Sequence, residues 1–355
     1  MQLKIVFMKA FEHSRLAILD EMLSGSTGAA IVVHSHPDGD ALGSSLALMR
    51  YLRESRNSGA QVIVPDRPPK SLSFLYSEDE IAVYADRPAA VSEILNSCDL
   101  LICLDLNAFN RTGEMEPLLS GLKCRKLLID HHLNPDTSSF DLVFSETEIS
   151  STCELLFWLL MEMPDIKDAS DLPCRAASAL MTGMTTDSNN FANSVFPSTL
   201  QMASLLLGAG VDRDAILANL YNCYRENRLR AQGYFLSEKM KLTGNGVAYA
   251  VFSEEERKRF NLLDGETEGF VNLPLGIKNI GMSLFLKEEG DLFRVSIRSK
   301  KGWSANKLAA SCFNGGGHEC AAGGKLFKGD GILCAADAER YVEEVTARFL
   351  QDSRS

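Results

Sequence analysis

The stretch AAIVVHSHPDGDALGSSLALMRYLRES, residues 29–55, changes character twice. Ala29 to Val33 are apolar without alternation, which fits a strand buried on both faces. From Ala41 onward apolar residues recur at helical spacing. Between the two, His34, His36, Asp38 and Asp40 crowd into one turn. A strand end and a turn need a Gly or an Asx, not this much charge and imidazole. Strand, charged turn and helix together form the repeating unit of an α/β sheet, and such sheets bind ligands outside the carboxyl ends of their strands.

The same grammar recurs outward from this stretch. QVIVP (61–65), DLLICLDL (99–106) and RKLLIDHH (125–132) are short apolar runs, and helical patterns lie between several of them. This alternation predicts an N-terminal doubly wound, mainly parallel sheet. Ser151-Thr152-Cys153-Glu154 resembles a capping box opening the helix STCELLFWLLME. LPCRAASALMTGMTTD (172–187) and PSTLQMASLLLGAG (197–210) read as further helices. The charged, helical pattern from Asp212 to Leu242 reads as one connecting segment, broken by Thr243-Gly-Asn-Gly246. The expected domains are therefore 1–243, with the connecting helix, and a smaller α/β domain, 244–355. In the latter VAYAVF and MSLFLKEEGDLFRVSIRS read as three strands, SANKLAASCF and ADAERYVEEVTARFL as helices, and GGGHECAAGG as a Gly-rich loop.

At 355 residues, with 45% hydrophobic and 23% charged residues, the composition is that of an ordinary globular protein of about two domains. No apolar stretch approaches the roughly 20 residues that span a bilayer. The N-terminus lacks a signal-peptide core and cleavage site. A soluble, cytoplasmic protein without a membrane partner is expected. The nine cysteines form no CxxC pair and read as reduced, small core residues. Cys312, His318 and Cys320 lack the fourth ligand and the regular spacing of a zinc site. A net charge of −11 argues against coating long duplex nucleic acid, because such binding rests on neutralising phosphates. It leaves room for a short anionic substrate held by local cations.

Three strand ends carry metal-ligand chemistry: His34, Asp38 and Asp40 after the first run, Asp105 after the second, and Asp130, His131 and His132 after the third. Asp187 closes a helix, where the macrodipole disfavours a carboxylate, so something should compensate it. Asp40 alone would be an ordinary helix N-cap. Five of the six histidines, however, lie in Asp- or Gly-rich loops. Asp38 and Asp40, two apart on a turn, point toward two different places, which suits a pair of metals bridged by a carboxylate. Asp105, on a central strand, is the natural bridge. Imidazole with carboxylate suits Mn²⁺, and Mg²⁺ less well.

In order, HSHPDGDALGS, LDLNAFNRTG, IDHH and TTDS resemble the motifs of the DHH phosphoesterase superfamily. GGGHECAAGG is similar to the glycine-rich signature of the DHH-associated domain, within the nanoRNase and 3′-phosphoadenosine-5′-phosphate (pAp) phosphatase group. The resemblance covers nearly the whole chain. It implies that His34, Asp38 and Asp105 bind one metal, and that Asp40, Asp105, His131 and Asp187 bind the other. It implies an orienting role for Asp130, a donor or general acid at His132 facing the scissile phosphate, and a phosphate contact at Arg111. It makes Arg298, Lys307, Gly315, Gly316, Gly317 and His318 the substrate-recognition residues, in a cleft between the domains. The implied reaction is metal-dependent hydrolysis of short oligoribonucleotides, including linear dinucleotides, to mononucleotides, with dephosphorylation of pAp to AMP. The expected partners are short single-stranded RNA or a nucleoside bisphosphate. Related proteins are often dimers, so a homodimer is one expected assembly. The alternative on the same scaffold is a pyrophosphatase or exopolyphosphatase. A non-catalytic nucleotide sensor should have lost ligands, and every expected ligand is present.

Overall fold

The computed structural model describes residues 11–352 apart from 264, 318 and 330. Contacts divide the chain into two compact units between Cys223 and Tyr224. The first unit holds strands β1 (Ala29–Val32), β2 (Gln61–Val64), β3 (Ile81–Val83), β4 (Leu100–Leu104), β5 (Arg125–Asp130) and β6 (Leu142–Ser145). Their spatial order is β3-β2-β1-β4-β5-β6, and every pairing is parallel. This is the expected doubly wound sheet. β3 and β6 are additions, short and only partly buried, with too little pattern to stand out in the sequence. Alternate residues of each central strand serve opposite faces. Ile31, Ile102 and Leu127 enter one core, and Val32, Leu101 and Leu128 the other. The connection order reverses between β1 and β4, which opens a crevice at their carboxyl ends.

Two helices meet at that crevice through glycine. Gly39–Ser55 begins just beyond β1, and Cys174–Asp187 ends beside it. A Cβ on Gly43 would lie 2.6 Å from the Ala179 carbonyl oxygen, and one on Gly183 would lie 2.2 Å from Cys153 Sγ. The backbones touch because neither residue has a side chain, and this contact sets Asp40 beside the end of the second helix.

The second unit carries a mixed sheet of β7 (Lys241–Leu242), β8 (Val247–Phe252), β9 (Met282–Glu289), β10 (Leu292–Ser299), β11 (Gly316–Gly317) and β12 (Ala321–Phe327). The order is β11-β12-β10-β9-β8-β7, with β8 and β9 parallel and the other pairs antiparallel. Helices Ala305–Cys312 and Ala335–Asp352 supply Leu308 and Val342 to the core on one face, against Val295 and Ile297. The sequence reading of a smaller α/β domain holds.

Three local readings are corrected. The 212–242 segment is not one helix but Arg213–Tyr221, Glu226–Tyr234, a π turn over Phe235–Lys239, and β7. Ala231 and Phe235 join Phe252, Phe270 and Phe285 in an aromatic cluster, which draws this stretch into the second unit and places the contact boundary ahead of Thr243. The glycine-rich stretch after Phe313 is partly strand, with Gly316 and Gly317 paired to Gly323 and Ala322. At Ser151 only half of a capping box forms. Ser151 Oγ accepts from Glu154 N–H, but the Glu154 carboxylate turns to Ser150 and Thr199. No helix among the described residues is long and apolar enough to cross a membrane.

The glycine contact yields a stability test. Gly183→Ala is expected to destabilise by about 1–3 kcal/mol through overpacking. Gly208→Ala, whose new methyl meets nothing within 4 Å, should be neutral or stabilise by up to about 1 kcal/mol. Denaturant melts of both variants check the contrast.

Candidate metal centre

Each predicted ligand of the first unit lies at the crevice, and each is aimed by its own element. His34 follows β1. Its Nδ1 lies 2.8 Å from the Ser35 carbonyl, which can only accept, so Nδ1 carries the proton. Nε2 faces Asp105 Oδ2 at 3.4 Å and Asp38 Oδ1 at 3.9 Å. Asp38 is the N-cap of helix Gly39–Ser55, with Oδ1 accepting from Asp40 N–H and Ala41 N–H. The cap is therefore Asp38 and not Asp40. Asp40 sits in the first turn, almost fully buried, where Cys153 N–H donates to Oδ1 at 2.9 Å and Thr152 N–H to Oδ2 at 2.7 Å.

Asp105 lies one residue past β4, buried, with φ at +59°. Asp is among the few L-residues that accept this left-handed conformation without severe strain. The bend turns its two oxygens toward different histidines. Oδ2 faces His34, and Oδ1 lies 3.5 Å from His131 Nε2. His131 Nε2 also lies 3.6 Å from Asp187 Oδ2 and 3.9 Å from Asp40 Oδ2. His34, Asp38 and Asp105 thus form one group, and Asp40, His131 and Asp187 another, with ligand atoms in each group within 4.8 Å of one another. Asp105 contacts both.

Electrostatics show how badly these anions fit without a partner. Burial, then the charges of Asp105 and Asp38, hold the Asp40 carboxyl well above its ordinary range. Burial and the neighbouring aspartates do the same to Asp105. Asp187 is pushed up to about 8 by burial and then by Asp40 and Asp38. Burial, followed by His132, lowers His131 to about 4, so its imidazole is neutral at pH 7. Crowded carboxylates with neutral imidazoles are a donor set for first-row divalent cations, and such cations would supply the compensating charge. The residues present fit a pair of divalent ions.

The adjacent histidines face different partners. His132 Nδ1 lies 2.7 Å from Asp130 Oδ1, and its Nε2 lies 3.0 Å from Arg111 Nη1. A guanidinium only donates, so Nε2 is the acceptor and Nδ1 carries the proton. Asp130 therefore orients His132 and not the proposed ligand His131. In this arrangement His132 is not placed as a donor through Nε2, because Arg111 occupies that lone pair. His36 is 90% exposed in its side chain and pairs loosely with Asp66, outside the cluster.

Sequence reasoning missed Thr152, whose Oγ1 donates to Asp105 Oδ1 at 3.1 Å. Its only signal was the S-T-C-E tetrapeptide, which reads as a helix start.

In the second unit Arg298 is half-buried on β10 and donates to the carbonyls of Ile297 and Ala322. It lines a cavity of about 420 Å³ with Gly269, Phe285, Lys287, Arg294 and Ser296. Arg294 and Lys287 both pair with Glu289. Lys307 is exposed on helix Ala305–Cys312. Two of the three glycines have packing reasons. A Cβ on Gly315 would lie 2.0 Å from the Gly323 carbonyl oxygen, and Gly317 has φ at +142°. Gly316 has open space around it. The positive-φ residue that ends the helix is Asn314, not Gly315. His318 lies outside the described residues.

Residues 29–184 match the N-terminal domain of the DHH family, and residues 244–349 match the DHHA1 domain. The chain is also 30% identical to the Bacillus subtilis bifunctional oligoribonuclease and PAP phosphatase NrnA, over 88% of this chain and 95% of that one. It belongs to the DHH family. Its NrnA-like relatives include the Thermus thermophilus protein of the same name, 30% identical over 93% of each chain. The crystal structure of an exopolyphosphatase-related protein from Bacteroides fragilis superposes with a TM-score of 0.89 at 34% identity, covering 98% of this chain and all of that one. As a DHH-family protein the chain is a phosphoester hydrolase.

The crowded carboxylates predict an unusual pH response in the metal-free protein. Asp187 in the fold holds a proton up to about pH 8 that the unfolded chain releases near its ordinary value. Asp40 and Asp105 are shifted in the same direction. The native state then binds more protons than the unfolded one, so stability falls as pH rises. His131 opposes this as pH falls through about 6.5, where the unfolded imidazole takes up a proton that the folded one, lowered to about 4, does not. Chelator-treated protein should melt at a lower temperature at pH 8 than at pH 6.5. Added Mn²⁺ should remove or reverse the difference.

Proposed function

We propose that this chain hydrolyses short oligoribonucleotides and linear dinucleotides to mononucleotides, and removes the 3′-phosphate of 3′-phosphoadenosine-5′-phosphate. The observation that carries the reading is Asp105 set between two ligand groups, with Oδ2 facing His34 of one and Oδ1 facing His131 of the other. The names of the two 30%-identical relatives support the choice of substrate. His34, Asp38 and Asp105 hold one divalent ion and Asp40, Asp105, His131 and Asp187 the other, with Mn²⁺ the expected metal. When bound, such a pair supplies Lewis acidity toward phosphoryl oxygens and makes water a competent nucleophile near neutral pH.

The chain's own residues bind and orient. Arg111, its guanidinium held by His132 and that ring held in turn by Asp130, offers a donor to a phosphoryl oxygen. Its remaining N–H groups stabilise charge that grows as the bond breaks. His132 acts through Arg111 in this geometry and serves as a donor itself only once Arg111 turns to the phosphate and Nε2 has taken up a proton. Arg298 is the substrate-binding cation of the second domain. Its guanidinium bonds only carbonyls and has no carboxylate partner among the described residues, so its charge is open to a phosphate. Lys307 and the glycine-rich segment Gly315, Gly316, Gly317 and His318 complete the recognition surface. The net charge of −11 disfavours long duplexes and suits a substrate of a few nucleotides.

The name of the Bacteroides fragilis structure favours a second reading, hydrolysis of polyphosphate or pyrophosphate. One experiment separates the two: a 5′-phosphorylated RNA dinucleotide, pAp, pyrophosphate and polyphosphate, each incubated with the Mn²⁺-loaded protein. Release of mononucleotides and AMP is expected. Cleavage of pyrophosphate or polyphosphate alone would leave the metal assignment intact and refute the nucleotide reading.

Two substitutions probe the roles. Asp105→Asn keeps a residue that accepts a positive φ and should lose both ions and essentially all turnover; wild-type turnover in this variant would end the two-metal reading. Arg298→Ala should raise KM for dinucleotide about 10-fold or more while leaving hydrolysis of a small generic phosphodiester close to wild type.

A further inference from the structure

A helix that starts at a catalytic crevice has spare donors. The first N–H groups of any α-helix lack intrahelical acceptors. A hydroxyl in the first turn also lacks the preceding turn whose carbonyls satisfy Thr and Ser elsewhere. Thr182, Thr185 and Thr186, inside helix Cys174–Asp187, donate to Ser178, Met181 and Gly183 carbonyls. Thr152 opens helix Thr152–Leu160 and has no such turn behind it. Its N–H goes to Asp40 Oδ2 at 2.7 Å, and its Oγ1 goes to Asp105 Oδ1 at 3.1 Å. Thr152 is completely buried.

Thr152 therefore touches two of the carboxylates that the proposed function assigns to metal. The oxygen it holds on Asp105 is the one facing His131, while the other faces His34. The terminal torsion of an Asp is broad, with no sharp preference of its own. A shared carboxylate must keep each oxygen on its own side, so something outside Asp105 must hold the plane. The Thr152 hydroxyl is placed to do so. Its own position is stiff, because Ser151 caps the helix and the buried Glu154 carboxylate accepts from Ser150 and Thr199 behind it.

We propose that Thr152 is a positioning residue that locks Asp105 in its bridging orientation and couples it to Asp40, so that the second ion is held only when this hydroxyl is present. The proposal rests on the two-ion reading above and adds to it a residue that touches no substrate. A merely structural Thr152 would stabilise the fold without altering metal affinity, so affinity is the quantity to read.

The test titrates metal-free wild type, Thr152→Val and Thr152→Ser with Mn²⁺ by calorimetry, alongside melting of the metal-free proteins. Thr152→Val keeps the shape and the backbone N–H but removes the hydroxyl; Thr152→Ser keeps the hydroxyl. Supporting partners of metal ligands typically contribute 10–100-fold in affinity. The expected result is a 10–100-fold weakening of the weaker Mn²⁺ site in Thr152→Val, with Thr152→Ser close to wild type. The electron paramagnetic resonance signature of a coupled Mn²⁺ pair should fade in the Val variant at concentrations that fill the wild type. If the Val protein does not fold, Thr152→Ala read against Thr152→Ser isolates the same hydroxyl. Wild-type affinity in the variants lacking the hydroxyl would overturn the inference, whatever their melting temperature, and leave the two-ion reading standing. A wild type that binds no Mn²⁺ would overturn both.

Discussion

The first unit is organised around one electrostatic problem: several carboxylates forced together at the point where a parallel sheet reverses its order. Asp40 and Asp105 are almost fully buried, and Asp187 and Asp38 lie beside them. Isolated buried charges are prohibitively costly, so each carboxylate needs support. Backbone N–H groups at two helix starts supply part of it, at Asp38 and at Asp40. The crowding that remains, which raises the Asp40, Asp105 and Asp187 carboxyls, is the kind of setting a divalent cation would relieve.

The surrounding packing serves that arrangement. Gly43 and Gly183 let two helices approach until backbone meets backbone, which brings the turn holding Asp40 next to the helix end holding Asp187. Cys153 lies in the same contact, its Sγ near both glycines and its N–H on Asp40. Close packing and ligand placement are thus one feature. A helix C-terminus ordinarily disfavours a carboxylate such as Asp187, and here burial and the neighbouring Asp40 and Asp38 push it up further, to about 8, with His132 and His34 offsetting only part.

The second unit shows how a motif can have more than one reason. Gly315 and Gly317 are demanded by close approach and by backbone conformation within the β11–β12 hairpin. A glycine run that looks like a phosphate cradle in sequence is thereby partly a strand-packing device. Arg298 is different. It sits on the polar face of β10, alternating with core residues Val295 and Ile297, and its charge has no carboxylate to meet among the described residues.

The sequence alone determined the class of fold and the identity of the chemistry. Apolar runs that do not alternate read as strands buried on both faces, because strand period and burial are local properties. The motifs named the family for the same reason. What the sequence could not show was which donor meets which acceptor. The reach of the Thr152 hydroxyl to Asp105, and of the Thr152 and Cys153 N–H groups to Asp40, joins residues far apart in the chain. The inclusion of Ala231 and Phe235 in the second unit is of the same kind, since an aromatic cluster exists only when its strands and helix have come together. Hydrogen bonds and side-chain contacts of this range are decided by tertiary packing, which no periodicity encodes.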